Sequence, residues 1–152
     1  NLAFFTQTTL SLDETKEIIN ILKSRFPQIS GPNTQDICYA TQNRQDAVKA
    51  IVDKIDMLLV LGAKNSSNSN RLWDIGLKNG IKSRLITDHS QISLEQISPG
   101  MTIGITAGAS APEILVSKLL AVLRNNFQLN LVENTILSEN INFKLPKELS
   151  SW

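Results

Sequence analysis

The sequence predicts an α/β sandwich, with a mostly parallel sheet covered by helices on both faces to make three layers. Three observations carry this prediction. Short apolar strands alternate with amphipathic helical stretches along the chain, the pattern of strand–helix–strand units. The run Met57–Leu61 is apolar without interruption, as expected of a strand buried on both faces. Gly80 and Pro112 fall at the ends of helical stretches, where they stop or start a helix.

Taken in order, Leu2–Thr6 reads as a buried strand. A helix from about Leu12 to Ser24 follows, with Ile18, Ile19 and Leu22 on one face. Pro27, Gly31 and Pro32 make residues 26–32 a loop. Thr41 opens the next helix, whose apolar stripe is Ala47, Val48, Ile51, Val52 and Ile55. After the strand Met57–Leu61, a polar loop leads into a helix from about Ser69 to Asn79, ended by Gly80. Arg84–Ile86 and Met101–Ile105 are short strands. Pro112 stands in the first turn of a helix reaching about Asn125. In the tail, Ile141–Phe143 is a candidate edge strand.

The chain has 152 residues, enough for one compact domain or two small ones. No apolar run approaches the roughly 20 residues that cross a bilayer. The net charge is +1 and the basic residues are dispersed, so neither nucleic acid nor a membrane surface is an expected partner. Residue 1 is Asn, and a strand begins beside it, so the chain is expected to continue a longer protein. Residues 1–36 would then finish a preceding α/β domain, 37–128 form the last α/β domain, and 129–152 a C-terminal tail.

Ligands of open α/β sheets bind at the carboxyl ends of strands. Three such ends are rich in small polar residues: Thr6–Ser11, Gly62–Asn70 and Thr106–Glu113. In the second, Ser66, Ser67 and Asn68 stand at a helix start beside Lys64. Free amides and the helix dipole favour an anion there, and a solvated loop with several possible caps also accounts for the residues. In the third, Ser110 and Glu113 fit a capping box, as Ser11 and Glu14 do in the first. Thr8 and Thr9 are left free to face a cleft.

The single cysteine, Cys38, rules out an internal disulfide and fits a reducing compartment. It lies just before a helix, where a thiolate is favoured, and thiolate is the form that binds iron. A small buried hydrophobe is the bland alternative. His89, the one histidine, has no second ligand nearby and reads as a solvent-exposed loop residue.

Several strings together resemble one family, the LytB family of 4-hydroxy-3-methylbut-2-enyl diphosphate reductases. They are Phe5-Thr-Gln-Thr-Thr-Leu-Ser11, Arg25-Phe-Pro27, Asp36-Ile-Cys-Tyr-Ala-Thr-Gln-Asn-Arg-Gln45, Lys64-Asn-Ser-Ser-Asn-Ser-Asn-Arg-Leu72, Thr106-Ala-Gly-Ala-Ser-Ala-Pro-Glu113 and Phe143-Lys-Leu-Pro-Lys-Glu148. Their order and spacing span nearly the whole chain.

The resemblance implies a trefoil of three α/β domains around a 4Fe-4S cluster bound by three cysteines, of which Cys38 matches the third. It implies that Thr8, Ser66, Ser67, Asn68 and Ser110 bind substrate, the serines at the diphosphate and Thr8 with Asn68 near the hydroxyl. The activity implied is that of an iron–sulfur oxidoreductase acting on CH or CH2 groups. An allylic diphosphate would lose its hydroxyl as water, with two electrons and two protons, to give isopentenyl and dimethylallyl diphosphates. An electron-donor protein such as ferredoxin or flavodoxin, and a bacterial cytoplasm or plastid-type organelle, are implied with it. The family's other two cysteines, its histidines and its proton-donating glutamate have no counterpart here. No catalytic acid is therefore assigned to this chain, which alone is expected to be inactive. The competing reading is a stand-alone α/β module that binds a phosphorylated ligand without redox chemistry.

Overall fold

In a computed structural model describing residues 1–32 and 37–135, three strands make one parallel sheet. Strand β1 (Met57–Leu61) is central, flanked by β2 (Lys82–Ile86) and β3 (Ile103–Ala107). Every residue of β1 is at most 1% exposed. Met57, Leu59 and Leu61 pack with Ile86, Leu119 and Leu123 on one face, and Leu58 and Val60 with Val48, Ile55 and Leu72 on the other. Burying a side chain of this kind contributes about 1.5–3 kcal/mol, so this strand anchors the fold. Helix α4 (Glu113–Asn126) covers the first face, and α2 (Tyr39–Ile51) with α3 (Ser67–Lys78) the second. The three-layer α/β arrangement is the one the alternating pattern predicts.

The path of the chain sets up a topological switch point. From β1 it runs through α3 to β2 at one edge, then returns past β1 to β3 at the other. Helix α3 leaves β1 toward one face, whereas α4 leaves β3 toward the opposite face. Between β1 and β3 the connections therefore diverge, and it is there, at the strands' carboxyl ends, that open α/β sheets form their ligand crevice.

Several expectations need correction. Leu2–Thr6 is not a buried strand: Leu2 is 53% and Phe5 86% exposed. Among the described residues its backbone pairs only around one bridge, Ala3 with Ser30, through Phe4 N–H to Ser30 O (3.0 Å) and Ser30 N–H to Leu2 O (3.1 Å). In helix α1 (Leu12–Arg25), only Ile19 of the expected stripe is buried, and Ile18 is exposed. Helix α2 begins at Tyr39, not Thr41, so Cys38 itself is the N-cap. Strand β2 starts two residues earlier than expected, its polar Lys82 and Ser83 pairing with Met57 and Leu58. Strand β3 lies two residues later, because Asp56 and Thr102 bond across its entry (Thr102 N–H to Asp56 Oδ2, 2.7 Å). Gly80 ends α3 as expected, with φ +73°. The boundary near Asp36 and the edge strand Ile141–Phe143 lie outside the described residues.

Ion pairs join helix α1 to α2 and α3. Asp13 pairs with Lys49 (2.7 Å), and Glu14 pairs with Arg71 (3.3 Å) and Lys78; Arg71 also reaches Asp74 (3.4 Å). The Lys78 ammonium holds the Glu14 carboxyl below its ordinary value, and Lys49 does the same to Asp13. Partly exposed pairs such as these contribute about 0–1 kcal/mol each, well below the core around β1. Amides of β1 are accordingly expected to exchange only with global opening, and those of residues 1–30 sooner. Hydrogen exchange read by mass spectrometry checks this; equal strong protection of both segments would show a joint as firm as the sheet.

Candidate functional site at the switch point

Residue 62 follows β1 and residue 108 follows β3, side by side: Gly108 N–H donates to Leu61 O at 2.8 Å. Both are glycine for a steric reason. A Cβ at Gly62 would lie 2.1 Å, and one at Gly108 2.2 Å, from Ser69 Oγ. Ser69, 1% exposed, thus wedges the first turn of α3 between the two strand ends. This brings the start of α3 into the crevice.

Ser66 caps α3. Its Oγ accepts the Ser69 N–H (3.3 Å) and the Ser69 hydroxyl (3.1 Å). That places Ser67, Asn68 and Ser69 in the first turn, earlier than the Ser69 start expected from sequence. The N–H groups of Ser67 and Asn68 have no intrahelical acceptor by helix geometry. No acidic residue stands in the first turn of α3 or of α2, whereas α1 carries Asp13 and Glu14 and α4 carries Glu113. The two helix starts without acids are those of Ser66 and Cys38, where the dipole is left free to meet an outside negative group.

Asn68 is the most informative side chain. It is 5% exposed, and neither its Nδ2 nor its Oδ1 has a hydrogen-bond partner among the described residues. The amide nitrogen lies toward Gly108, 3.8 Å from where a Cβ would stand. A buried amide without partners costs about 1–3 kcal/mol, and such groups call for an explanation such as an absent ligand or ion.

The first loop reaches the same place. Thr9 donates its hydroxyl to Ser67 Oγ at 2.9 Å, and Thr8 O accepts the Cys38 N–H at 2.9 Å. Thr8 is exposed, as is the free thiol of Cys38. Cys38 is therefore not the small buried hydrophobe of the bland reading. Thr8, Cys38, Ser66, Ser67 and Asn68 are drawn together by these links. Ser110 is exposed on the adjoining loop, two residues beyond Gly108.

Neither expected capping box forms. The N-cap of α4 is Pro112, not Ser110. Ser11 is the N-cap of α1 but its side chain makes no capping bond; Thr15 donates to Ser11 O instead (2.7 Å), and Glu14 turns to Lys78 and Arg71. His89 is half-buried in a short turn, its Nδ1 without a partner among the described residues, rather than solvent-exposed. Ser69 and the Thr9–Ser67 pair are the features that sequence reasoning missed. Two glycines at matched strand ends were a usable sign of Ser69, but nothing local announces a bond between residues 9 and 67.

A separate cleft of about 270 Å³ lies between α1, α2 and α3. Its cations Lys49, Arg71 and Lys78 are each paired with Asp13, Glu14 or Asp74. It contains none of the switch-point residues and reads as the helix joint.

As a metal site the chain is partial. Among the described residues no group of three or more His, Cys, Asp or Glu could hold a metal ion. Cys38 nevertheless fits a single ligand position: an exposed thiol at a helix start with no carboxylate in the turn beside it.

Fold and crevice together define a parallel-sheet α/β protein with a polar switch-point site beside a helix-start cysteine. The chain belongs to the LytB protein family, whose model matches residues 1–124. It is 54% identical over 146 residues to the 4-hydroxy-3-methylbut-2-enyl diphosphate reductase of Anaplasma marginale (strain Florida), covering 96% of this chain and 43% of that protein. A second reductase of that name, from Bradyrhizobium diazoefficiens, is 48% identical over 149 residues, covering 98% and 48%. The solved structure of the E-1-hydroxy-2-methyl-but-2-enyl-4-diphosphate reductase from Plasmodium falciparum superposes with a TM-score of 0.82 at 33% identity, covering 97% of this chain and 47% of that one. The chain thus spans less than half the length of these relatives.

Proposed function

We propose that this chain is the C-terminal part of a reductase that converts 4-hydroxy-3-methylbut-2-enyl diphosphate to isopentenyl and dimethylallyl diphosphates. The observation that carries this reading is the buried Asn68 amide, unpartnered among the described residues, beside serine hydroxyls and helix-start amides. It supports a ligand with an anionic end and a hydroxyl end. Names and coverage of the relatives support the particular substrate.

In this proposal the hydroxyls of Ser66, Ser67 and Ser110 and the first amides of α3 hold the diphosphate. Asn68 and Thr8 orient the substrate hydroxyl. Cys38 is one ligand of an iron–sulfur cluster whose other protein ligands lie elsewhere in the enzyme. When bound, the cluster supplies the two electrons that, with two protons, release the hydroxyl as water. Holding the diphosphate fixes where the hydroxyl lies, which is the protein's contribution to the rate. The Cys38 N–H to Thr8 O bond keeps the cluster ligand in register with a residue facing the substrate. The trefoil of three domains and a protein electron donor belong to the same proposal.

Each hydrogen bond to a charged acceptor contributes roughly 1.5–3 kcal/mol. Ser66→Ala and Ser110→Ala in the full-length protein should therefore weaken substrate binding about 10- to 150-fold, at tenfold per 1.4 kcal/mol. The iron content should stay constant. Because Ser110 is not the N-cap of α4, its variant should melt with the parent, while Ser66→Ala also loses a cap and about 1 kcal/mol. Titration calorimetry beside melting curves reads both; unchanged affinity in the two variants would sink the shared diphosphate site. A phosphate-binding module without redox chemistry would show the serine effects but no dependence on Cys38.

A further inference from the structure

We infer that Thr9 and Ser69 are positioning residues that set the polarity of the Ser67 and Ser66 hydroxyls, so that both serines meet the ligand as donors. The inference rests on the diphosphate reading above and deepens it.

A serine hydroxyl has one hydrogen to donate and two lone pairs that accept. At Ser66 a backbone amide engages one lone pair and a second hydroxyl stands within hydrogen-bonding distance. The Ser69 N–H donates to Ser66 Oγ at 3.3 Å and the Ser69 hydroxyl at 3.1 Å. The amide can only donate, which fixes the first direction; the hydroxyl contact is assigned the same polarity, with Ser69 as donor. Ser69 cannot turn away, because it is buried and its Oγ occupies the space that side chains at Gly62 and Gly108 would need. With both acceptor sites filled, the Ser66 hydrogen is left to point out of the turn. At Ser67 the same task falls to another element: the Thr9 hydroxyl lies 2.9 Å from Ser67 Oγ, and Thr9 is assigned as the donor. A hydroxyl that accepts from Thr9 keeps its own hydrogen for something else.

The alternative polarity has Ser67 donating to Thr9 and showing lone pairs to the crevice. A diphosphate oxygen is an acceptor only, so that arrangement would repel it. Chained hydroxyls also polarise one another, which strengthens the terminal donor. Two residues that need not touch the ligand thereby turn ambivalent serines into an anion cradle.

The test is a pair of double-mutant cycles in the full-length, cluster-loaded protein. Substrate binding is measured calorimetrically without reductant, so that no turnover occurs. Thr9→Val keeps the shape and removes the donor; it should weaken binding about 2- to 12-fold, the size of one neutral hydrogen bond. Thr9→Ser should restore it. In a Ser67→Ala background Thr9→Val should cost nothing further, because its only route to the ligand is gone. Ser69→Ala should behave in the same way against Ser66→Ala. If Ser67→Ala weakens binding while Thr9→Val does not, or if the two effects simply add, the inference is overturned and the diphosphate site stands. If Ser66→Ala and Ser67→Ala both bind as the parent does, the diphosphate site itself fails and the inference falls with it.

Discussion

Replacing Cys38 by serine is expected to remove the iron–sulfur cluster and turnover from the full-length protein while leaving the fold of this segment intact. The two halves of this expectation have separate causes. Cluster binding needs a thiolate, and Cys38 is the only thiol the chain offers. The fold does not need that sulfur. Cys38 is exposed, and its side chain makes no capping bond to α2. Serine is a preferred N-cap, so α2 should start at least as well in the variant. Iron and sulfide analysis with visible absorption should read near zero, turnover should fall to background, and the circular dichroism spectrum should match the parent's. Retained iron with full activity would show that Cys38 is no ligand. A collapsed spectrum would show instead that the residue serves the fold.

Asn68→Leu should stabilise the ligand-free protein and weaken substrate binding, two effects of opposite sign from one substitution. The amide is buried with both polar atoms unpartnered among the described residues. Removing such a group while keeping its volume relieves a cost of about 1–3 kcal/mol. At roughly 2–4 °C per kcal/mol for chains of this size class, the melting temperature should rise by several degrees. The bonds Asn68 would make to a bound substrate vanish with the amide, so affinity should fall about 10- to 150-fold by the hydrogen-bond magnitudes used above. Functional sites characteristically sacrifice stability in this way. Calorimetric affinity and a melting curve on the same preparation decide the matter. A lower melting temperature with unchanged affinity would make Asn68 a packing residue and remove the main support for the site.

Much of the architecture was legible in the residues themselves. Met57–Leu61 announced a doubly covered strand because five consecutive apolar side chains have no other comfortable environment. Gly80 marked the end of α3, since its φ of +73° suits glycine above other residues. The motif strings around Cys38, Ser66 and Ser110 pointed to the family to which the chain belongs. Less was legible at the edges. Leu2–Thr6 has the composition of a buried strand, but a strand is buried only by its neighbours, and here it finds one bridge to Ser30. Ser11 and Ser110 match a capping box in spacing, yet Glu14 is drawn to Lys78 and Arg71, and α4 opens at Pro112. Short-range signals of this kind lose when a distant partner offers more.

The sequence by itself determined the class of fold, the central strand, the approximate helices and the chemical identity of the residues at the strand ends. All of these follow from local periodicity and side-chain type, which act over a few residues. Only the tertiary structure decided that β1 and β3 lie side by side with Gly62 and Gly108 in register, that Ser69 fills the space between them, and that Thr9 reaches Ser67. Only the tertiary structure left Asn68 buried without a partner among the described residues. These facts depend on which segments meet across 40 to 60 residues of chain, and close packing excludes all but one arrangement of side chains at each meeting.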